Sequence, residues 1–173
     1  YYAYNGIKFK DKNITLIKLT SGSTSAAKPI FIKHKEIISD ANNIMGSMGL
    51  IKTDINFSIL PFPHSYALGN IVYQLIINGI SVAIGSDIMP HIISREMSLS
   101  QATVFPTLHN ILHILYKSEG RIPQSLRLVI SAGAPLSKEI CKQFYKLYNL
   151  KIHNFYGSSE TGAIAYDRSG NCG

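Results

Sequence analysis

The sequence predicts an α/β fold built on a mostly parallel β-sheet flanked by helices. Two observations carry that expectation. Short β-branched apolar runs alternate with longer segments whose apolar residues recur at helical spacing, the pattern of repeated strand–helix units. The stretches rich in Gly, Pro and Ser fall directly after those runs, where the loops of such a sheet gather ligands at the strand carboxyl ends. With 173 residues and 46% hydrophobic composition, the chain is long enough for one packed core.

Residues 14–19 and 29–33 are β-rich and flank a loop, so they are expected to pair as a hairpin across it. Residues 35–50 carry Ile37, Ile38, Ala41, Ile44, Met45 and Met48, the spacing of a helix with one apolar face. A buried strand at 55–60 is stopped by Pro61 and Pro63, which cannot donate to a ladder. Helix 67–77, strand 81–85, helix 88–97, strand 102–105 and helix 108–116 follow. Strand 126–130, helix 136–147 and strand 151–155 repeat the unit, and 163–166 reads as one more short strand. No internal repeat interrupts the series. The chain reads as one domain, a hairpin at 14–33 in front of an α/β core at 35–166.

The formal net charge of +7 suits an anionic partner. Lys and Arg are dispersed, however, and no basic arm appears, which argues against nucleic-acid recognition. The longest apolar run, 71–85, is broken by Gln74, Asn78 and Gly79 and is too short to span a bilayer. No signal peptide is expected, and a cytoplasmic location is expected with it. Cys141 and Cys172 lack metal-ligand spacing and predict reduced thiols, Cys141 buried and inert on a helix. His109 and His113 stand four apart, as zinc ligands do. They lack a third ligand and the glutamate of a zinc protease, and read as helix-surface histidines.

The opening loop carries the chemistry. Thr20, Ser21, Ser23 and Thr24 supply hydroxyls, Gly22 supplies bare backbone and Lys28 a point charge, the composition of a polyphosphate cradle. An NTPase-type loop is excluded. Its second Gly is Ala27 here, its magnesium-binding hydroxyl position is Pro29, and residues 29–33 read as a strand where a helix should begin. Ser25-Ala-Ala-Lys28 also matches the Ser-x-x-Lys pair of penicillin-recognising enzymes. Pro29 opposes the helix that pair needs, and the partner motifs Ser-Asp-Asn and Lys-Thr-Gly are absent.

Three further segments follow predicted strands: Leu60-Pro-Phe-Pro-His64-Ser-Tyr-Ala-Leu-Gly69, Ser131-Ala-Gly-Ala-Pro135-Leu-Ser, and Tyr156-Gly-Ser-Ser-Glu160-Thr-Gly162. Together with Thr20-Ser-Gly-Ser-Thr24 and Lys28, and in this order, they resemble the adenylate-forming superfamily. That superfamily includes acyl-coenzyme A synthetases, aryl-acid ligases, luciferases and peptide-synthetase adenylation domains. The resemblance runs over 14–166. It implies that 1–173 is a single partial AMP-binding domain, an incomplete N-terminal domain of an adenylate-forming enzyme whose mobile C-terminal domain is absent.

The resemblance implies ATP-dependent activation of a carboxylic acid. A carboxylate oxygen attacks the α-phosphorus, giving acyl-adenylate and pyrophosphate. The acyl group then passes to the thiol of CoA or of the phosphopantetheine arm of an acyl carrier protein. On that likeness Thr20, Ser21, Gly22, Ser23, Thr24 and Lys28 hold the β- and γ-phosphates. Tyr156, with Gly157 beside it, stacks on adenine against a wall of Gly133, Ala134 and Pro135. Ser159 donates to the α-phosphate, and Glu160 binds Mg2+. Lys28, His64 and Glu160 form the implied catalytic set, His64 beside the acyl carboxylate or the thiol entrance. Peptide synthetases carry an Asp in the second segment, where this chain reads Phe62-Pro-His-Ser65. A fatty or aromatic acid is therefore implied rather than a free amino acid.

The likeness also sets limits. Relatives read Thr-Gly-x-Pro-Lys-Gly where this chain reads Thr24-Ser25-Ala26-Ala27-Lys28-Pro29, so the loop is expected to be stiffer. Ser159 replaces the usual Thr and keeps the hydroxyl. The ribose-binding Asp, hinge Arg and late Lys of the family do not occur within these residues, so the chain alone is expected not to complete adenylation. A non-catalytic nucleotide- or partner-binding module is the alternative.

Overall fold

The structure is a computed structural model that describes residues 3–4, 7–8, 12–20, 28–118 and 120–171. A short antiparallel pair, β1 (Ala3–Tyr4) and β2 (Ile7–Lys8), precedes the expected hairpin of β3 (Ile14–Thr20) and β4 (Lys28–Lys33). Helix α1 (His34–Met48) follows β4 with no intervening residue. The Glu36 carboxylate accepts the Lys33 N–H at 2.9 Å, and Gly49 ends the helix at φ 62, a left-handed cap that favours glycine. The apolar face read from the sequence is the buried one. Ile37 and Ala41 pack on Leu16 and Ile32 of the hairpin, while Ile44 and Met48 pack on the main sheet.

That sheet is built from β5 (Ile55–Ser58), β6 (Ser81–Ile84), β7 (Val104–Leu108), β8 (Leu128–Ala132), β9 (Ile152–Ser158) and β10 (Gly162–Tyr166), in the spatial order β10-β9-β8-β7-β5-β6. All neighbours are parallel except β9 and β10, which form an antiparallel hairpin. The predicted α/β architecture is the observed one. Helices α4 (Pro90–Leu99), α5 (His109–Lys117) and α6 (Lys138–Tyr148) cover one face, where Ile93, Met97, Leu112 and Phe144 meet Phe57, Phe105, Val129 and Ile152. On the other face α1 and Tyr66 meet Val104, Leu128 and Ile130. β8 is buried along its whole length, as a central parallel strand covered on both faces must be.

The structure departs from the sequence reading at several points. β7 runs through Pro106 to Leu108, past the expected strand 102–105. Its pairing to β5 is confined to Asn56–Val104, so the proline lies in a stretch paired to β8 alone. The helix expected over 67–77 is composite: α2 (Ser65–Ala67), a π-helical turn (Leu68–Val72) and α3 (Tyr73–Asn78). Buried amides satisfy its loosened carbonyls, with Gln74 Nε2 donating to Gly69 O at 3.1 Å and Asn56 Nδ2 to Asn70 O at 3.3 Å, while Gln74 Nε2 also reaches Ala41 O of α1 at 3.2 Å. Finally, Cys141 is disulfide-bonded and half-buried, which corrects the expectation of a reduced, inert thiol.

At the amino ends of the strands, Asp54 ties the sheet to α1. It accepts from Ile51 N–H, Thr103 Oγ1 and Arg127 Nε, each at 2.8 Å, and from Arg127 Nη2, which also reaches Gly49 O at 3.0 Å. Burial opposes the charge on Asp54, but these bonds outweigh it and hold the carboxyl below its ordinary value. No helix of the described residues is long and apolar enough to cross a membrane.

Candidate functional site

The carboxyl ends of β8 and β9 and the segment from His64 that follows β5 open onto one cavity of about 700 Å³. β9 reaches Ser158, three residues past its expected end, so Tyr156 and Gly157 are strand residues. The turn Ser159–Glu160–Thr161 is closed by Ser158 Oγ, which accepts from Thr161 N–H at 3.2 Å. Two glycines make this hairpin fit. A Cβ on Gly157 would lie 2.6 Å from Gly162 O, and Gly162 itself sits at φ 71. Gly133, which opens the wall loop continuing to Pro135, sits at φ 90.

Tyr156 lines this cavity yet is 65% exposed, with no ring pair to another aromatic among the described residues. Asn154 lies two residues earlier, on the same face of the strand. It also lines the cavity, and its Oδ1 is buried without a hydrogen-bond partner. In register with Asn154 stand Ser131 on β8 and Thr107 on β7, whose hydroxyls are likewise buried and unpaired. A polar row thus crosses three strands beside the cavity.

The second segment closes another side. His64 caps α2, its Nδ1 accepting the Tyr66 N–H at 3.3 Å, so a neutral ring carries its proton on Nε2. Ser65 Oγ and Ser159 Oγ share a hydrogen bond of 2.9 Å, which joins the second and fourth sequence motifs directly. Tyr66 is buried, its hydroxyl donating to Ile130 O at 3.1 Å and its ring 5.3 Å from that of Phe155. Burial pushes its phenol well above the ordinary value. Asp40, on α1, accepts the Ala163 N–H at 2.9 Å and so fastens the helix to β10.

Of the residues singled out in the sequence, His64, Gly133, Ala134, Pro135, Tyr156, Gly157 and Ser159 line this single cavity. Glu160 is exposed on the turn beside it, and Lys28 is exposed at the start of β4; neither is among the lining residues. Ser21, Gly22, Ser23 and Thr24 lie outside the described residues, and Thr20 ends β3. The sequence reading missed Asn154, Asp40 and Lys18. Burial lowers the Lys18 ammonium below its ordinary value, opposed by the Asp40 and Glu160 carboxylates, which puts β3 of the hairpin within electrostatic reach of the signature turn. Strand alternation from Tyr156 pointed to Asn154. No local signal marks Asp40, whose partner is 123 residues away.

No group of three or more acidic, His or Cys side chains among the described residues suits a metal ion. A magnesium ion carried by nucleotide phosphates needs only one or two protein carboxylates, and exposed Glu160 fits that requirement.

Comparison with known proteins agrees with this geometry. The family described as AMP-binding enzyme matches residues 6–172. The chain belongs to this family. This AMP-binding chain is 28% identical over 166 residues to the probable CoA ligase CCL5 of Humulus lupulus, covering 92% of itself and 30% of that protein. It is 27% identical over 162 residues to the peroxisomal OPC-8:0-CoA ligase 1 of Arabidopsis thaliana, with 90% and 30% covered. Among solved structures, the anthranilate CoA ligase AuaEII in complex with anthranoyl-AMP superposes with a TM-score of 0.79 at 18% identity, over 91% of this chain and 32% of that one. ATP-bound MatB from Rhodopseudomonas palustris gives 0.76 at 22% identity, over 95% and 33%. The AMP-binding chain therefore spans about 30% of the length of the curated relatives it matches.

Proposed function

We propose that this chain contributes the nucleotide and acid sites of an AMP-forming acid–thiol ligase. A carboxylate oxygen of a fatty or aromatic acid attacks the α-phosphorus of ATP, and the bond to the β-phosphate breaks with pyrophosphate leaving. The thiol of CoA, or of a carrier-protein phosphopantetheine, then displaces AMP from the acyl carbon. The observation that carries this reading is the bare Tyr156 ring on the same strand face as the unpaired Asn154 Oδ1, with the glycine-bearing loop 133–135 in the same cavity.

The ring offers a stacking surface to a purine, and Asn154 Oδ1 an acceptor for its exocyclic amine. Gly133 lets the base approach backbone. Ser159 faces the α-phosphate, steadied by Ser65, and Glu160 holds magnesium on the phosphates. Lys28 and the loop 20–24 neutralise the β- and γ-phosphates. His64 stands at the side where the acid and thiol meet. The work of these groups is positioning and charge neutralisation, with no covalent nucleophile required.

Calorimetric titration of the 173-residue chain with AMP tests the nucleotide site. Tyr156→Ala is expected to weaken AMP binding roughly tenfold, as loss of one base–aromatic stack does; equal affinity in the variant would refute the assignment. Carboxylate-dependent pyrophosphate exchange by the intact enzyme, since the 173-residue chain alone is expected not to complete adenylation, then separates ligase from module. Pro29 and the lost loop glycines favour the module, and nucleotide binding without exchange would assign the chain to it.

A further inference from the structure

Among the described residues the cavity lining holds two carboxylates, Asp40 and Asp167, and no lysine or arginine. Exposed Glu160 adds another acidic group on the turn beside it. A phosphate monoester carries about −1.5 to −2 charges at neutral pH, so these groups repel it unless positive charge stands close by. Lys18 is placed to supply that charge. Along β3 the side chains alternate between two faces. Leu16 packs with Ile32 against Ile37, Ala41 and Tyr73, whereas Leu19 and Phe31, the latter in register with Ile17, are exposed on the other face. Lys18 lies two residues beyond Leu16 and in register with Ile30, so it shares the face turned to α1, where it is half-buried. Asp40 lies one turn past Ile37 on the helix face that meets this hairpin. Its carboxylate reaches on to the end of the signature turn, accepting the Ala163 N–H at 2.9 Å in the space that Gly162 leaves free of a side chain. The Asp40 and Glu160 carboxylates both favour the charged Lys18 ammonium and oppose the cost of burying it.

We infer that Lys18 is a positioning residue for the nucleotide: its ammonium offsets the Asp40 and Glu160 carboxylates, so that the phosphate of a nucleoside monophosphate can enter a cavity whose own lining is acidic. The inference rests on the adenylate-forming reading above, because it takes this cavity to be the nucleotide site. Lys18 is not a lining residue. It acts through the charge of the two carboxylates and not by touching the phosphate. Its task is separate from that of Lys28 and the loop 20–24, which serve the β- and γ-phosphates. The nucleoside itself is uncharged, so the effect of Lys18 is confined to ligands that carry a phosphate.

Calorimetric titration of the 173-residue chain with AMP and with adenosine tests it. A chelator is present, so that no metal ion offsets Glu160, and the readout is the ratio of AMP affinity to adenosine affinity on one and the same variant. Lys18→Met is expected to lower that ratio roughly tenfold, as loss of one charge from a partly buried cluster does. Lys18→Arg keeps the charge and should preserve the ratio. Adding Asp40→Asn to Lys18→Met should restore most of it, since the amide oxygen still accepts the Ala163 N–H while the negative charge is gone. Raising the salt concentration should narrow the gap between the parent and Lys18→Met. Equal weakening of AMP and adenosine in Lys18→Met is what a merely structural role gives, and it overturns the inference, as does a loss that Asp40→Asn fails to restore. If Lys18→Met does not fold, Asp40→Asn in the otherwise unaltered chain decides: the ratio should rise, and an unchanged ratio overturns the inference. Failure of both AMP and adenosine to bind the unaltered chain overturns the nucleotide assignment and this inference with it; binding of both with a ratio indifferent to Lys18 overturns this inference alone.

Discussion

Replacing Gly162 with Ala is expected to damage the hairpin that carries the signature turn, and the structure says by how much. Gly162 sits at φ 71, and an added Cβ would fall 2.7 Å from Asp40 Oδ1 and 2.8 Å from both Asp40 Cγ and Oδ2. No real Cβ tolerates that approach, so the carboxylate must leave the Ala163 N–H that it now accepts at 2.9 Å. The left-handed backbone costs an alanine about 1 kcal/mol, and losing a hydrogen bond to a charged acceptor costs about 1.5–3 kcal/mol. Gly162→Ala should therefore destabilise the chain by roughly 3 kcal/mol. In an Asp40→Ala background the collision and the hydrogen bond are both gone, and the same change should cost only about 1 kcal/mol. The coupling in the double-mutant cycle is then about 2 kcal/mol. Urea unfolding followed by far-UV circular dichroism and tyrosine emission measures it, since the chain has ten Tyr and no Trp. A single-variant effect below about 0.5 kcal/mol, or additivity to within about that amount, would show the reasoning to be wrong.

Acid should act through Asp54. Its carboxyl is held below the ordinary 3.8, so its contribution is complete above that pH and is lost as pH falls through the depressed folded value. Arg127→Met leaves a buried carboxylate without its main counterweight. The variant should lose roughly 2 kcal/mol at neutral pH, less than for a fully buried pair because the guanidinium side is 40% exposed. It should also begin acid unfolding at higher pH than the parent; coincident acid transitions by circular dichroism would contradict this. At the other end of the sheet β6 is an edge among the described strands, with Ile84 69% exposed. The chain should self-associate at high concentration and Ile84→Lys should reduce this. A clean monomer of the parent by light scattering would sink the idea.

The strand–helix alternation was legible because each element follows from local residues, such as the apolar stripe of α1 and the apolar run that opens β8. Element ends were less so. Pro106 signals a stop in any single strand, and only the asymmetric pairing of β7 permits it to continue. The π-turn is equally non-local, since it depends on amides from Gln74 and Asn56 reaching carbonyls that a regular helix would satisfy itself. The site divides along the same line. Tyr156, Gly133, Ser159 and His64 belong to contiguous motifs, and they converge on one cavity because each motif ends or follows a strand of one sheet. Asp40 and Lys18 belong to no motif. Their importance comes from what the fold brings against them.

Helix α1 serves two neighbours at once. Its Ile37 and Ala41 seat the β3–β4 hairpin, while its Ile44 and Asp40 form part of the cavity wall. With no residue between Lys33 and His34 to act as a swivel, a shift in the hairpin is carried along the helix to Asp40 and from there to the backbone of β10. On the proposed function, specificity for the acid and grip on the nucleotide are therefore not independent design variables in this protein. A substitution on α1 that widens or narrows the cavity also re-aims the hairpin, and variants selected for a new acid should be screened for nucleotide affinity in the same round.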